Sequence, residues 1–165
     1  MKYTETEVVF SEFPDEITLA INISNCPIHC PGCSSKWLWN DIGNELNISS
    51  IQELIKKNEG ITCIGLMGGD RDHKSVNKIA KYIKSNYPEL KVGWYSGLDS
   101  ISENIDPNNF DYIKLGAYDI EKGPLNMKTT NQRMYQIVPF CDTVWPQLKN
   151  AGAIDITYKF WEKKI

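Results

Sequence analysis

Apolar and polar positions along this chain fall into short blocks that predict a succession of strands and helices. Val8-Val9-Phe10 and the run 17–23 flank Phe13-Pro14-Asp15-Glu16, predicting two strands joined by a turn between Glu7 and Ile23. From Asn25 to Gly43 neither period is sustained, and Pro27, Pro31 and Gly32 indicate an irregular loop followed by a short helix. Ser49 or Ser50 is placed to cap a helix beginning near Ile51, with Glu53 in its first turn and Gly60 past its end. Residues 61–67 are mostly apolar and predict a strand that runs into the loop Gly68-Gly69-Asp70-Arg71-Asp72. Val76, Ile79, Ala80 and Ile83 then recur at helical spacing over 74–86, and Pro88 stops that helix. Further strands are expected at 91–95, ended by Ser96-Gly97, at 112–115 and at 134–138, with a short helix over 98–105.

Alternation of this kind favours an α/β fold with a parallel sheet and right-handed crossovers. A closed eight-unit barrel needs about 250 residues. This chain has 165, so an incomplete, open (β/α) barrel in a single domain over 1–165 is the economical expectation. Residues 116–133 are the least patterned stretch, and a polar loop of that length inside a compact domain is usually functional or mobile.

Composition narrows the function classes. Eighteen basic residues against 21 acidic give a net charge of -3, with no block of one sign, so no nucleic-acid partner is indicated. No stretch approaches the roughly 18 apolar residues of a membrane span, and the amino terminus turns acidic before any apolar run. The expectation is a cytoplasmic protein without membrane association. The five cysteines, three of them within eight positions, suit metal binding in a reducing compartment better than a disulfide framework.

Those three form the C-x3-C-x2-C run Cys26-Pro27-Ile28-His29-Cys30-Pro31-Gly32-Cys33. Three thiolates on one tight loop suit three corners of a 4Fe-4S cube, which leaves one iron without a protein ligand. An open coordination position is what separates catalytic from structural metal sites. The competing readings are a structural zinc site completed by His29, Cys63 or Cys141, and three free thiols. Zinc sites favour paired C-x2-C units, and no second pair exists. His29 is read as a solvent-facing or outer residue, and Cys63 and Cys141 as packed or idle thiols.

The cysteine run, together with Ile64 through Asp70, resembles the radical S-adenosylmethionine superfamily, whose loop follows the first barrel strand and whose next strand ends in Gly-Gly-Glu or Gly-Gly-Asp. Within it, the segments 25–39, Gly93-Trp94-Tyr95-Ser96-Gly97 and Thr129-Thr130-Asn131-Gln132-Arg133 look like the activating proteins of anaerobic ribonucleoside-triphosphate reductases. The resemblance implies a radical SAM barrel, incomplete and open on one side. It also implies a 4Fe-4S cluster on Cys26, Cys30 and Cys33, whose unique iron chelates the methionine moiety of S-adenosylmethionine. Gly68, Gly69 and Asp70 would lie beside the methionine amino group, Gly32 and Ser34 near adenine, and Ser96 and Lys114 near the nucleoside or carboxylate. Ser34 stands where the superfamily often has an aromatic or histidine, Asp70 where glutamate is commoner, and Arg71 where proline is frequent. The implied partners are the large reductase subunit, which would receive a glycyl radical, and an electron donor such as reduced flavodoxin. Trp37 and Trp39 are candidate partner contacts, and Trp94 is a core candidate. A radical enzyme acting on a small molecule, similar to deazaguanine synthases, and a non-enzymatic zinc-binding module are the alternatives.

Overall fold

The computed structural model describes residues 1–138 and 152–161. Its strands are β1 (Lys2–Val9), β2 (Thr18–Ile23), β3 (Asn44–Glu45), β4 (Cys63–Met67), β5 (Lys91–Tyr95), β6 (Tyr112–Leu115), β7 (Arg133–Val138) and β8 (Gly152–Asp155). Two helices, α1 (Ile48–Lys57) and α2 (His73–Asn86), and short 3-10 turns complete the described elements. All eight strands share one sheet in the order β3-β1-β2-β4-β5-β6-β7-β8, which is open because its two ends do not pair.

The sheet is mixed, where a parallel one was expected. Its centre, β2-β4-β5-β6, is parallel; the β1 hairpin on one side and β7-β8 on the other are antiparallel. Central strands are apolar on both faces, as burial on two sides requires. β1 begins at Lys2 rather than at the apolar run, since pairing of Tyr3 with Ile23 recruits polar residues that carry no hydrophobic signal of their own.

Ile64, Leu66, Val92, Trp94 and Ile113 face the helices and pack with Ile51 of α1 and Val76, Ile79, Ala80 and Ile83 of α2. Trp94 is fully buried, in keeping with its core assignment. α1 starts three residues earlier than expected, and neither serine is its cap. Asn47 is: its side chain accepts from Ser50 N–H at 3.0 Å while Ser50 Oγ accepts from Asn47 N–H at 2.8 Å, a reciprocal capping box. Asp72 caps α2 by accepting from Ser75 N–H.

The helix expected over 98–105 does not form. Asn104 N–H donates to Ser102 Oγ at 3.3 Å and Ile105 N–H to Ser102 O at 3.0 Å, so donors that a helix would bond four residues back close a local turn on Ser102 instead; only a 3-10 turn at Pro107–Asn109 follows.

The opposite face of the sheet is closed by Phe13, Cys63, Tyr112, Met134 and Ile156. The Phe13 ring stacks on Tyr112 and meets Tyr95 edge-on, each at 5.4 Å. Beside it, the buried Glu16 carboxylate accepts from Lys91, Tyr112 and Thr62.

Candidate metal centre

Parallel strands point their carboxyl ends to one side, and in open α/β sheets that side gathers ligands. Four neighbouring strands here release their loops along one such edge: the cysteine loop after β2, Gly68-Gly69-Asp70 after β4, Ser96-Gly97 after β5, and Gly116 after β6.

The base of the cysteine loop is closed by Asn25 N–H donating to Asn40 O and Cys26 N–H to Leu38 O, each at 2.9 Å. Asn25, His29 and Gly32 take positive φ, which turns the chain tightly enough to bring Cys30 and Cys33 onto one bend, where Cys33 N–H donates to Cys30 O at 3.1 Å. Ser35 N–H donates to Cys33 Sγ at 3.4 Å. All three thiols are free and partly accessible. The His29 ring is exposed and stacks on Trp39 with centroids 4.6 Å apart.

Cys63 cannot join them. The Thr18–Cys63 register puts it beside the first residue of β2, roughly 16 Å of strand away from that strand's carboxyl end. Burial pushes its thiol up to about 12, so it is a packed hydrophobe. Cys141 lies outside the described residues. Among the described residues no three His, Cys, Asp or Glu side chains gather around a position for a single metal ion. A cube would take its thiolates at separate corners, and the donor set on this loop, three partly accessible thiols, is of the chemical type that iron-sulfur clusters use.

The turn after β4 is held from several directions. Gly68 and Gly69 have φ of +107° and +96°, and a Cβ at Gly69 would come within 2.4 Å of Val76 Cγ2. Trp94 Nε1 donates to Gly68 O at 2.8 Å. Asp70 turns inward: Oδ1 accepts from Ser96 Oγ at 2.6 Å and Oδ2 from Gly97 N–H at 2.8 Å. Ser96, expected near the nucleoside, is 1% exposed, and its hydroxyl also accepts from Leu98 N–H.

Lys114 is 7% exposed and donates to Gly116 O at 2.9 Å. Burial lowers its pKa to about 8, while the charges of Cys30, Asp70 and Glu12 act the other way. Gly116 O also accepts from Gln132 Nε2, and Asn131 Nδ2 donates to Ala117 O, so the residues before β7 brace the loop after β6.

Two apolar contacts lean the cysteine loop on its neighbours. A Cβ at Gly97 would meet Ile28 Cγ1 at 2.7 Å, and one at Gly32 would meet Ile120 Cδ1 at 2.8 Å. Ser34, by contrast, is exposed. The structure sets Asp70, Ser96 and Lys114 on the same sheet edge as the cysteine loop, together with Ile28, Ile120, Gln132 and the Trp94 indole N–H, to which the sequence assigns no role at the site. Ile28 and Ile120 each carry a signal, as aliphatic residues inside otherwise polar loops.

No helix among the described residues is long and apolar enough to cross a membrane. No curated protein and no solved structure matches the chain. A sequence family described as "4Fe-4S single cluster domain" matches residues 17–116, more than half of the chain. The matched span opens one residue before β2 and closes at Gly116, so it takes in the cysteine loop, the Gly68-Gly69-Asp70 turn, Ser96 and Lys114. The chain therefore belongs to the iron-sulfur family of 4Fe-4S single cluster domains.

Proposed function

We propose that Cys26, Cys30 and Cys33 hold a 4Fe-4S cluster with one iron open to S-adenosylmethionine, and that the protein activates an anaerobic ribonucleoside-triphosphate reductase. When bound, such a cluster supplies one electron to the sulfonium, whose carbon-sulfur bond breaks to give methionine and a 5′-deoxyadenosyl radical. Abstraction of a hydrogen atom from a glycine Cα of the large reductase subunit then leaves 5′-deoxyadenosine and a glycyl radical. Reduced flavodoxin is a suitable electron donor.

The observation that carries this reading is the convergence, at one sheet edge, of the accessible thiols with the Gly68-Gly69 turn, the Ser96-Gly97 turn and Lys114. Positive φ at Gly68 and Gly69 opens the backbone to close approach by a ligand's amino group. Lys114 supplies a buried cation beside Cys30 for a ligand's carboxylate. The four parallel strands, in a sheet whose outer ends stay unpaired, support an incomplete barrel. A protein substrate is favoured over a small molecule because Phe13, Tyr112 and Met134 fill the sheet face away from the helices.

The test is anaerobic reconstitution followed by analysis for iron, sulfide and zinc. About four irons per chain are expected. With a reductant, S-adenosylmethionine and the large reductase subunit, electron paramagnetic resonance should show a glycyl doublet that a Cys30→Ala variant lacks. A colourless protein with one zinc would reject the reading, and 5′-deoxyadenosine formed without a glycyl radical would reject the partner.

A further inference from the structure

We propose that Asp70 is a positioning residue: its carboxylate ties the Gly68-Gly69 turn after β4 to the Ser96-Gly97 turn after β5 and presets the cradle for S-adenosylmethionine. The inference rests on the reading of the site just given and assigns the side chain a task different from ligand contact. Both carboxylate oxygens are already engaged, Oδ1 by Ser96 Oγ and Oδ2 by Gly97 N–H, and the side chain is only 3% exposed. His73 covers it from α2, with Nε2 3.5 Å from Oδ1 and its ring edge-on to Trp94.

The tie answers a specific weakness. Gly68 and Gly69 have the backbone freedom that lets a ligand approach, and the same freedom lets the turn wander in its absence. Gly68 is fixed through its own backbone, its N–H donating to Tyr95 O and its O accepting from Trp94 Nε1. Beyond it, the carboxylate of Asp70 is the anchor, and it fastens the turn to the neighbouring strand's end. A buried carboxylate holding two donors is stronger than a neutral equivalent, and its removal strands both donors where water reaches them poorly. One side chain thus sets the spacing between two loops that the ligand must touch together. The pair would arrive pre-formed, and binding would not have to order them.

Hydrogen exchange of the Gly97 and Leu98 amides in the cluster-loaded full chain, without S-adenosylmethionine, is the direct test. In Asp70→Ala it should quicken about tenfold or more, which corresponds to loss of one buried hydrogen bond. Iron content and the far-ultraviolet spectrum should stay at wild-type values. The dissociation constant for S-adenosylmethionine should rise by a similar factor of about ten, with Asp70→Asn, which keeps one acceptor oxygen, falling between the two. Ser96→Ala, which removes one donor, should reproduce part of both effects and serves if Asp70→Ala does not fold. Unchanged exchange at Gly97 in Asp70→Ala would overturn the proposal, as would faster exchange with no loss of affinity or, should Asp70→Ala not fold, an unchanged dissociation constant in Ser96→Ala. If the wild-type chain binds no S-adenosylmethionine, the functional reading fails on its own, while the exchange rates still decide the tie.

Discussion

The ring of Phe13 lies directly on the α-carbon of Gly93, so closely that a Cβ built there would sit 2.1 Å from Phe13 Cζ. A Cβ built at Gly65, on the adjacent strand, would meet the same ring at 3.1 Å. Two glycines side by side on β4 and β5 therefore make a flat seat, and the turn between β1 and β2 drops an aromatic onto it. Phe13→Ala should cost about 3–5 kcal/mol through the cavity it leaves, and Gly93→Ala about 1–3 kcal/mol through overpacking. The double variant should cost less than the sum, because the new methyl group enters space the ring has vacated. Urea unfolding of the three proteins checks this.

The four cysteines among the described residues divide into two classes by accessibility. Replacing Cys26, Cys30 or Cys33 by alanine should abolish cluster assembly, whereas Cys63→Ala should retain about four irons per chain after anaerobic reconstitution. Iron and sulfide analysis of the four variants provides the check, and loss of iron from Cys63→Ala would contradict the assignment of that thiol to the core.

Stability should fall as the medium turns alkaline. The Cys63 thiol is raised by burial from 9.0 to about 12, and burial also raises the hydroxyls of Tyr95 and Tyr112. Unfolded, these groups release protons near their ordinary values; folded, they hold them. The unfolded state binds fewer protons above about pH 9, so each group contributes stability that is intact below that pH and drains away at about 1.4 kcal/mol per unit as pH rises toward the folded value. Lys114, lowered by burial from 10.5 to about 8, acts the other way, since between those values the unfolded state holds the extra proton. Tm measured anaerobically from pH 7 to 11 should therefore decline clearly only above about pH 10, where the tyrosines join Cys63, and Cys63→Ala should make the decline shallower.

At the other end of the molecule, Asn47→Ala removes the acceptor of the Ser50 N–H in the capping box. A loss of about 1 kcal/mol is expected from chemical denaturation, with Asn47→Asp close to wild type.

Particular residues show what could be read from the chain. Lys91–Tyr95 and Tyr112–Leu115 form strands at the boundaries their apolar runs predict, because turn residues bracket them on both sides. The cysteine spacing and Gly68-Gly69 were legible for a similar reason: scarce residue types at short range carry their own meaning. The absence of a helix at 98–105 could not be read off the pattern, since it turns on Ser102 taking the N–H groups of Asn104 and Ile105 into a local turn. The start of α1 was ambiguous because Asn47, Ser49 and Ser50 are all able to cap, and only packing of Ile51 at zero exposure selects among them. Burial of Lys114 depends on β7 and the loop after β6, contacts that no local pattern encodes.

Ile28 and Gly97 sit 69 positions apart in the chain and share one small volume. The two positions are consequently coupled: a side chain introduced at 97 must be met by a shorter one at 28 or lift the cysteine loop off β5. Among relatives, drift at these two places should be correlated, with the bulkier partner changing sides but never appearing on both.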